Sequence, residues 1–147
     1  MKPIIRLANT EDIPAIHQLV KELAEYEKAL HEFVATLEDY YNDFKNQKFE
    51  VIVAEIEKTV IGMVLFYPAY STWKGKMMYL EDFVVTPDWR GKGIGKLLLN
   101  AFLQKAKDRG CVQVKWQVLD WNEPAIRFYQ QAGAIIEQNW WNVRIVF

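Results

Sequence analysis

Tyr79-Leu80-Glu81-Asp82-Phe83-Val84-Val85-Thr86-Pro87-Asp88-Trp89-Arg90-Gly91-Lys92-Gly93-Ile94-Gly95 reads as a buried strand carrying two carboxylates, then a turn, then a glycine-rich loop that opens a helix. Ile94, Leu97, Leu98, Ala101, Phe102 and Ala106 continue at helical spacing towards Arg109-Gly110, where glycine suits a helix end. Glycines at a strand-to-helix junction let backbone amides approach an anion, and the helix dipole favours its negative charge. Arg90, Lys92 and Lys96 add cations around that junction. The plainer use of the same glycines is a tight turn. Two familiar phosphate motifs fail on spacing. Gly91 and Gly95-Lys96 stand one residue too close for a Walker loop, with Leu97 where Ser or Thr is needed, and Gly91, Gly93 and Gly95 do not fit G-x-G-x-x-G.

Upstream, Glu50 to Ile56 and residues 60–67 are strand-like runs divided by Glu57-Lys58-Thr59, short enough for a hairpin. Residues 71–75 interrupt the pattern as a loop. Ile4-Ile5-Arg6-Leu7 is a first short strand, and Thr10 can cap a helix whose stripe is Ile13, Ile16, Leu19, Val20 and Leu23. Thr36 caps a second helix, with Asp39 placed as in a capping box. Downstream, Val112, Val114, Trp116 and Val118 alternate with polar residues as a strand. Asn122 is an N-cap, with Pro124 in the first turn of a helix carrying Ile126, Phe128 and Tyr129. Residues 135–136 and 143–147 supply closing strands. The order predicts one α/β (α+β) domain over residues 1–147, a mixed, mostly antiparallel sheet of six to seven strands flanked by about four helices.

Of 147 residues 51% are hydrophobic and 25% charged, the balance of a chain that buries a full core in water. The net charge of −1 and the scattered Lys and Arg give no footprint for nucleic acid. No apolar run suits a bilayer span and Arg6, Asn9, Glu11 and Asp12 interrupt any leader-like core, so a cytoplasmic location is expected. Cys111, the single cysteine, fits a small packing residue in a reducing compartment, a reactive thiol being the minor reading. His17 and His31 lack metal-ligand spacing, so no metal is expected. The acidic run from Glu22 to Asp43 reads as a solvated helical face or as a rim that draws in a cation.

Arg90-Gly91-Lys92-Gly93-Ile94-Gly95 resembles the acyl-CoA pyrophosphate loop of the GNAT N-acetyltransferases. Asp120-Trp121-Asn122-Glu123-Pro124-Ala125-Ile126-Arg127-Phe128-Tyr129 resembles their second cofactor-side motif, which ends in a catalytic tyrosine. With Leu23-Ala24-Glu25-Tyr26-Glu27 and Tyr79-Leu80-Glu81-Asp82-Phe83, the chain is similar to the diamine acetyltransferase branch, which acetylates spermidine and spermine or thialysine.

The resemblance implies direct transfer of acetyl from acetyl-CoA to a primary amine. An alkylammonium, pKa ~10.4, must lose a proton before its nitrogen can attack. By resemblance Glu81 is the base, acting through water, and Tyr129 the acid that protonates the leaving thiolate. The backbone of Phe83, Val84 and Val85 would meet the acetyl oxygen and pantetheine arm. Arg90, Gly91, Lys92, Gly93, Ile94, Gly95 and Lys96 would hold the pyrophosphate, with Asn122 and Pro124 also on the cofactor side. Glu27, Trp73 and Asp82 join Glu81 as substrate-side candidates. Each also has an ordinary reading: Tyr129 as core, Asn122 as a helix cap, Trp73 as packing, Glu27 as surface, and the carboxylates as partners of Lys or Arg. Adjacent on a strand, Glu81 and Asp82 are expected on opposite faces, so that only one meets substrate.

Ser71 stands where the polyamine-acetylating members carry an acid, and Ser71-Thr72-Trp73-Lys74-Gly75 is closer to the thialysine type. That favours a small diamine or a lysine-like amino acid over a long polyamine. The resemblance also implies a homodimer. Two other readings stand beside it: an acetyltransferase of protein or peptide amines, and a non-catalytic acyl-CoA-binding sensor.

Overall fold

Each strand finds its place from which of its faces is apolar. The computed structural model describes all residues, Met1–Phe147. Within residues 1–117, one of two compact units, β1 (Ile4–Leu7), α1 (Ile13–Tyr26), α2 (Leu37–Lys45), β2 (Glu50–Ile56), β3 (Thr59–Ser71), β4 (Gly75–Val85), α3 (Ile94–Asp108) and β5 (Gln113–Trp116) succeed one another along the chain. The sheet runs β1-β2-β3-β4-β5, antiparallel except for the parallel β4–β5 pair. β2 and β3 join through Glu57 and Lys58, both at positive φ, 50° and 65°, as the favoured two-residue hairpin turn requires.

Alternation along β2 and β3 supplies apolar residues to both faces. Val51, Val53, Met63, Leu65 and Val84 pack with Ile13, Ile16 and Leu19 of α1, and Tyr40 and Phe44 of α2 lean on the same cluster. On the other face Phe66 meets Phe102 of α3 edge-on, centroids 5.2 Å apart. Gly62 lets α3 come close: a Cβ there would sit 3.1 Å from Leu98 Cδ1 and from the Val84 carbonyl oxygen. β3 and β4 continue as a long hairpin to a three-residue tip, since Ser71 pairs with Gly75. The loop expected over residues 71–75 is therefore shorter and its two strands longer.

The start of α1 is fixed electrostatically. Thr10 does not cap α1: Asn9 caps a 3-10 turn, Thr10–Asp12, that runs into it, its side chain accepting from Glu11 N at 2.9 Å and Asp12 accepting from Asn9 N at 2.8 Å. Asp12 is buried, and Arg6 of β1 grips it at 2.8 and 2.9 Å while reaching Glu55 of β2 at 2.8 Å. The Arg6 hydrogen bonds hold the Asp12 carboxyl below its usual range against the opposing effect of burial.

The second unit, residues 118–147, holds α4 (Glu123–Gln131). The sheet has five strands rather than six to seven. Residues 135–136 and 143–147 have strand-like composition but pair with no strand, and Ile135, Val143 and Ile145 are 90%, 92% and 81% exposed. Strand propensity alone does not make a ladder, because it reflects packing and pairing that a neighbouring strand must supply.

Arg6→Met should lower stability by about 1–3 kcal/mol at pH 7, since it leaves Asp12 buried without its cation. The folded pKa of Asp12 is depressed, so its contribution is present above the ordinary Asp range and lost as pH falls through the folded value. Urea unfolding should show the gap between variant and wild type narrowing below about pH 4. Equal midpoints at pH 7 would show that Arg6 does not anchor α1.

Candidate active site

β4 carries one residue more than β3 at the decisive place. Leu65 pairs with Asp82 and Phe66 with Leu80, so Glu81 is the extra residue of a β-bulge. Asp82 lies opposite Leu65 and two residues before Val84, both members of the cluster under α1, which puts it on the α1 face. Glu81 reaches that face as well, because its Oε1 accepts from the Tyr67 hydroxyl at 2.8 Å. The expectation of opposite faces is thus corrected: strict alternation holds only in a regular strand, and the bulge breaks it here.

The two carboxylates differ in surroundings. Glu81 is exposed and Asp82 partly buried. Burial, then the charges of Glu81 and Glu27, push the Asp82 carboxyl up to about 7. Burial also raises Glu27, at the C-terminal end of α1. Tyr40 of α2 is pushed up to about 12 by burial and then by Asp82 and Glu81. Tyr67 is raised by burial and by its hydrogen bond to Glu81, and its ring stacks on Tyr79 at 5.5 Å. The two charges that raise Asp82, those of Glu81 and Glu27, are both negative. A surface so arranged suits a cation. Sequence reading missed Tyr40 and Tyr67. For Tyr67 the signal was available in the hairpin register, which sets it opposite Tyr79, but the bulge that brings it to Glu81 has no sequence signature here.

The glycine loop has the backbone its motif requires. A short 3-10 turn, Pro87–Trp89, precedes it, and Gly91 and Gly93 adopt φ of 73° and 82°. Those angles disfavour any side chain. A Cβ at either glycine would meet nothing within 4 Å, so the outer side of the loop is open. Gly93 sits at the N-cap of α3 without a side-chain cap, which leaves the first-turn amides of Ile94, Gly95 and Lys96 available to an anion. Arg90 is partly committed elsewhere: its Nε donates to the Val85 carbonyl at 2.8 Å, closing the turn, and its guanidinium lies 5.8 Å from the Tyr26 ring. Lys92 lies over Trp89 at 4.7 Å. The β4–β5 ladder ends at Leu80 and Trp116, so Phe83, Val84 and Val85 lie beyond the last pair. An open glycine cradle at a fifteen-residue helix N-terminus suits a phosphate-like anion.

Trp73 stands 84% exposed at the hairpin tip, where Ser71 Oγ accepts from Lys74 N at 3.1 Å. Glu27 belongs with the carboxylates through its effect on Asp82. His17 is a packing residue, its Nε2 donating to the Ala35 carbonyl at 2.9 Å and its ring 4.8 Å from both Phe33 and Tyr40. In the second unit Asn122 caps α4, accepting from Ala125 N at 3.4 Å with Pro124 in the first turn. Tyr129 is 9% exposed, its ring edge-on to Phe128 at 5.8 Å. No helix is long and apolar enough to cross a membrane.

Known proteins resemble the chain in sequence and in fold. The acetyltransferase (GNAT) family profile matches residues 13–134. A thialysine N-epsilon-acetyltransferase of Bos taurus is 38% identical over 141 residues, covering 89% of this chain and 83% of that protein. An L-ornithine N5-acetyltransferase of Arabidopsis thaliana is 31% identical over 184 residues, covering 92% and 81%. Among solved structures, an aminoglycoside N-acetyltransferase in complex with CoA shares the fold at a TM-score of 0.80 and 17% identity, covering 97% of this chain and 94% of that one. The chain belongs to the GNAT family of acetyltransferases, enzymes that carry acetyl from acetyl-CoA to an amine.

Proposed function

We propose that this protein acetylates the primary amine of a small diamine or a lysine-like amino acid of the thialysine type. The observation that carries the reading is the gathering of Glu81 and Asp82 on the α1 face with Glu27 at the end of α1, both glutamate charges acting on Asp82. The names of the thialysine and ornithine relatives support a substrate with a side-chain ammonium.

Acetyl-CoA supplies the acetyl group as a thioester. The amides of Gly91, Gly93, Ile94 and Gly95, with Lys92, Lys96 and Arg90 around them, bind its pyrophosphate; Asn122 and Pro124 border the pantetheine. The backbone of Phe83, Val84 and Val85 lies along the acetyl group and donates to its oxygen. Glu81 holds the ammonium, together with Asp82 and Glu27, and takes its proton through water. Trp73 bounds the amine side. Tyr129 gives a proton to the departing sulfur. A homodimer is the assembly carried over from the resemblance; a species sedimenting at the single-chain mass of 17.3 kDa would remove that part.

An amine panel read by release of the coenzyme A thiol tests the substrate. Thialysine, lysine, ornithine and putrescine should be turned over in preference to spermidine and to a lysine peptide. Best turnover on the peptide would overturn the small-molecule reading.

Tyr129→Phe should lower kcat by about 10²-fold or more, the range of general acid catalysis. Unchanged turnover under conditions where chemistry limits the rate would remove Tyr129 from the reaction.

A further inference from the structure

The β4 bulge does more than present Glu81. We propose that Glu81 and Asp82 act as one coupled carboxylate pair, Glu81 drawing the proton from the substrate ammonium through water and Asp82 holding it. This role rests on the amine acetylation proposed for the protein. In a regular strand the two would lie on opposite faces of the sheet. The extra residue puts both on the α1 face, one exposed and held by Tyr67 at 2.8 Å, the other partly buried opposite Leu65 of the cluster under α1. Two nearby carboxylates resist being ionised together, so a proton entering the pair belongs to both and rests where the charge is least well solvated. That place is Asp82.

The groups around Asp82 agree on the direction. Glu81 on its own strand and Glu27 at the end of α1 act on it as negative charges. Tyr40 of α2 and Tyr67 of β3 both feel its charge and are themselves raised, so they face it as neutral hydroxyls. Tyr79 is raised by burial and by Glu81. With its carboxyl at about 7, Asp82 exchanges protons readily near neutral pH.

The protons balance. The ammonium gives one proton to the pair and becomes an amine, whose lone pair forms the C–N bond as the C–S bond breaks. The sulfur leaves with the bonding electrons and receives a proton from Tyr129, which the nitrogen's second surplus proton restores. Asp82 then releases the first proton to solvent, and the pair is reset. Asp82 thus helps to hold the ammonium and takes up its proton by way of Glu81.

Carboxyl ¹³C titration of aspartate-labelled protein, read beside turnover, tests the pair. The Asp82 resonance, assigned by its loss in Asp82→Asn, should titrate near 7 in the wild type and at lower pH in Glu81→Gln, where one negative neighbour is gone. Asp82→Asn should lower kcat by about tenfold or more and change the acid limb of the pH profile. Unfolding does not confuse this result. The folded pKa of Asp82 is raised, so ionising it costs stability progressively as pH rises from the ordinary Asp range to about 7, and Asp82→Asn should be at least as stable as wild type above that pH. An Asp82 resonance in the ordinary range near ~3.9, or one indifferent to Glu81→Gln, overturns the pair while acetyl transfer stands. Failure of the wild type to acetylate any amine of the panel overturns the proposed activity, and the pair's role with it.

Discussion

One residue too many in β4 sets the character of this molecule. Opposite the Leu65–Phe66 step the strand accommodates Glu81 as a bulge, and the side chains before and after it fall out of simple alternation. Leu80 stays opposite Phe66, on the face that packs on α3, while Asp82 comes opposite Leu65 under α1. The same stretch is where β4 parts from β5, whose last pair is Leu80 with Trp116. Core, carboxylates and the end of the β4–β5 ladder are therefore brought together within a few residues. The strand then leads through a 3-10 turn into the glycine loop and α3.

Two aspartates show how environment assigns a role. Asp12 is buried and meets Arg6 in a paired arrangement, so its charge is compensated and serves to hold α1 against β1 and β2. Asp82 is resisted in its charged form by burial and then by the charges of Glu81 and Glu27. A carboxylate left in that condition costs the fold stability at neutral pH. The anchored aspartate keeps in place the helix that packs on the same face of the sheet as the unanchored one.

The glycine loop illustrates a similar division of labour within one motif. Gly91 and Gly93 hold backbone angles that other residues resist, which is a local demand legible from spacing. Arg90, read from the sequence as a phosphate ligand, spends its Nε on the Val85 carbonyl and so also shapes the turn. Only the folded turn brings that carbonyl within reach.

Much of the architecture could be read from residue order. A strand-like apolar run gave β2 with its observed ends, the helical stripe from Ile94 gave α3, and Thr36 with Asp39 gave the capping box of α2. These features depend on neighbours a few residues away, so local chemistry suffices. The glycine loop, the Asn122 cap and the family came from short motifs for the same reason. The bulge, the face shared by Glu81 and Asp82, and the parts of Tyr40 and Tyr67 were decided by pairing between strands and packing under α1 and α2, which bring together residues far apart in the chain. The apolar tail makes the opposite point: residues 143–147 have the composition of a strand, yet no neighbouring strand pairs with them, because a ladder is a property of two segments and not of one.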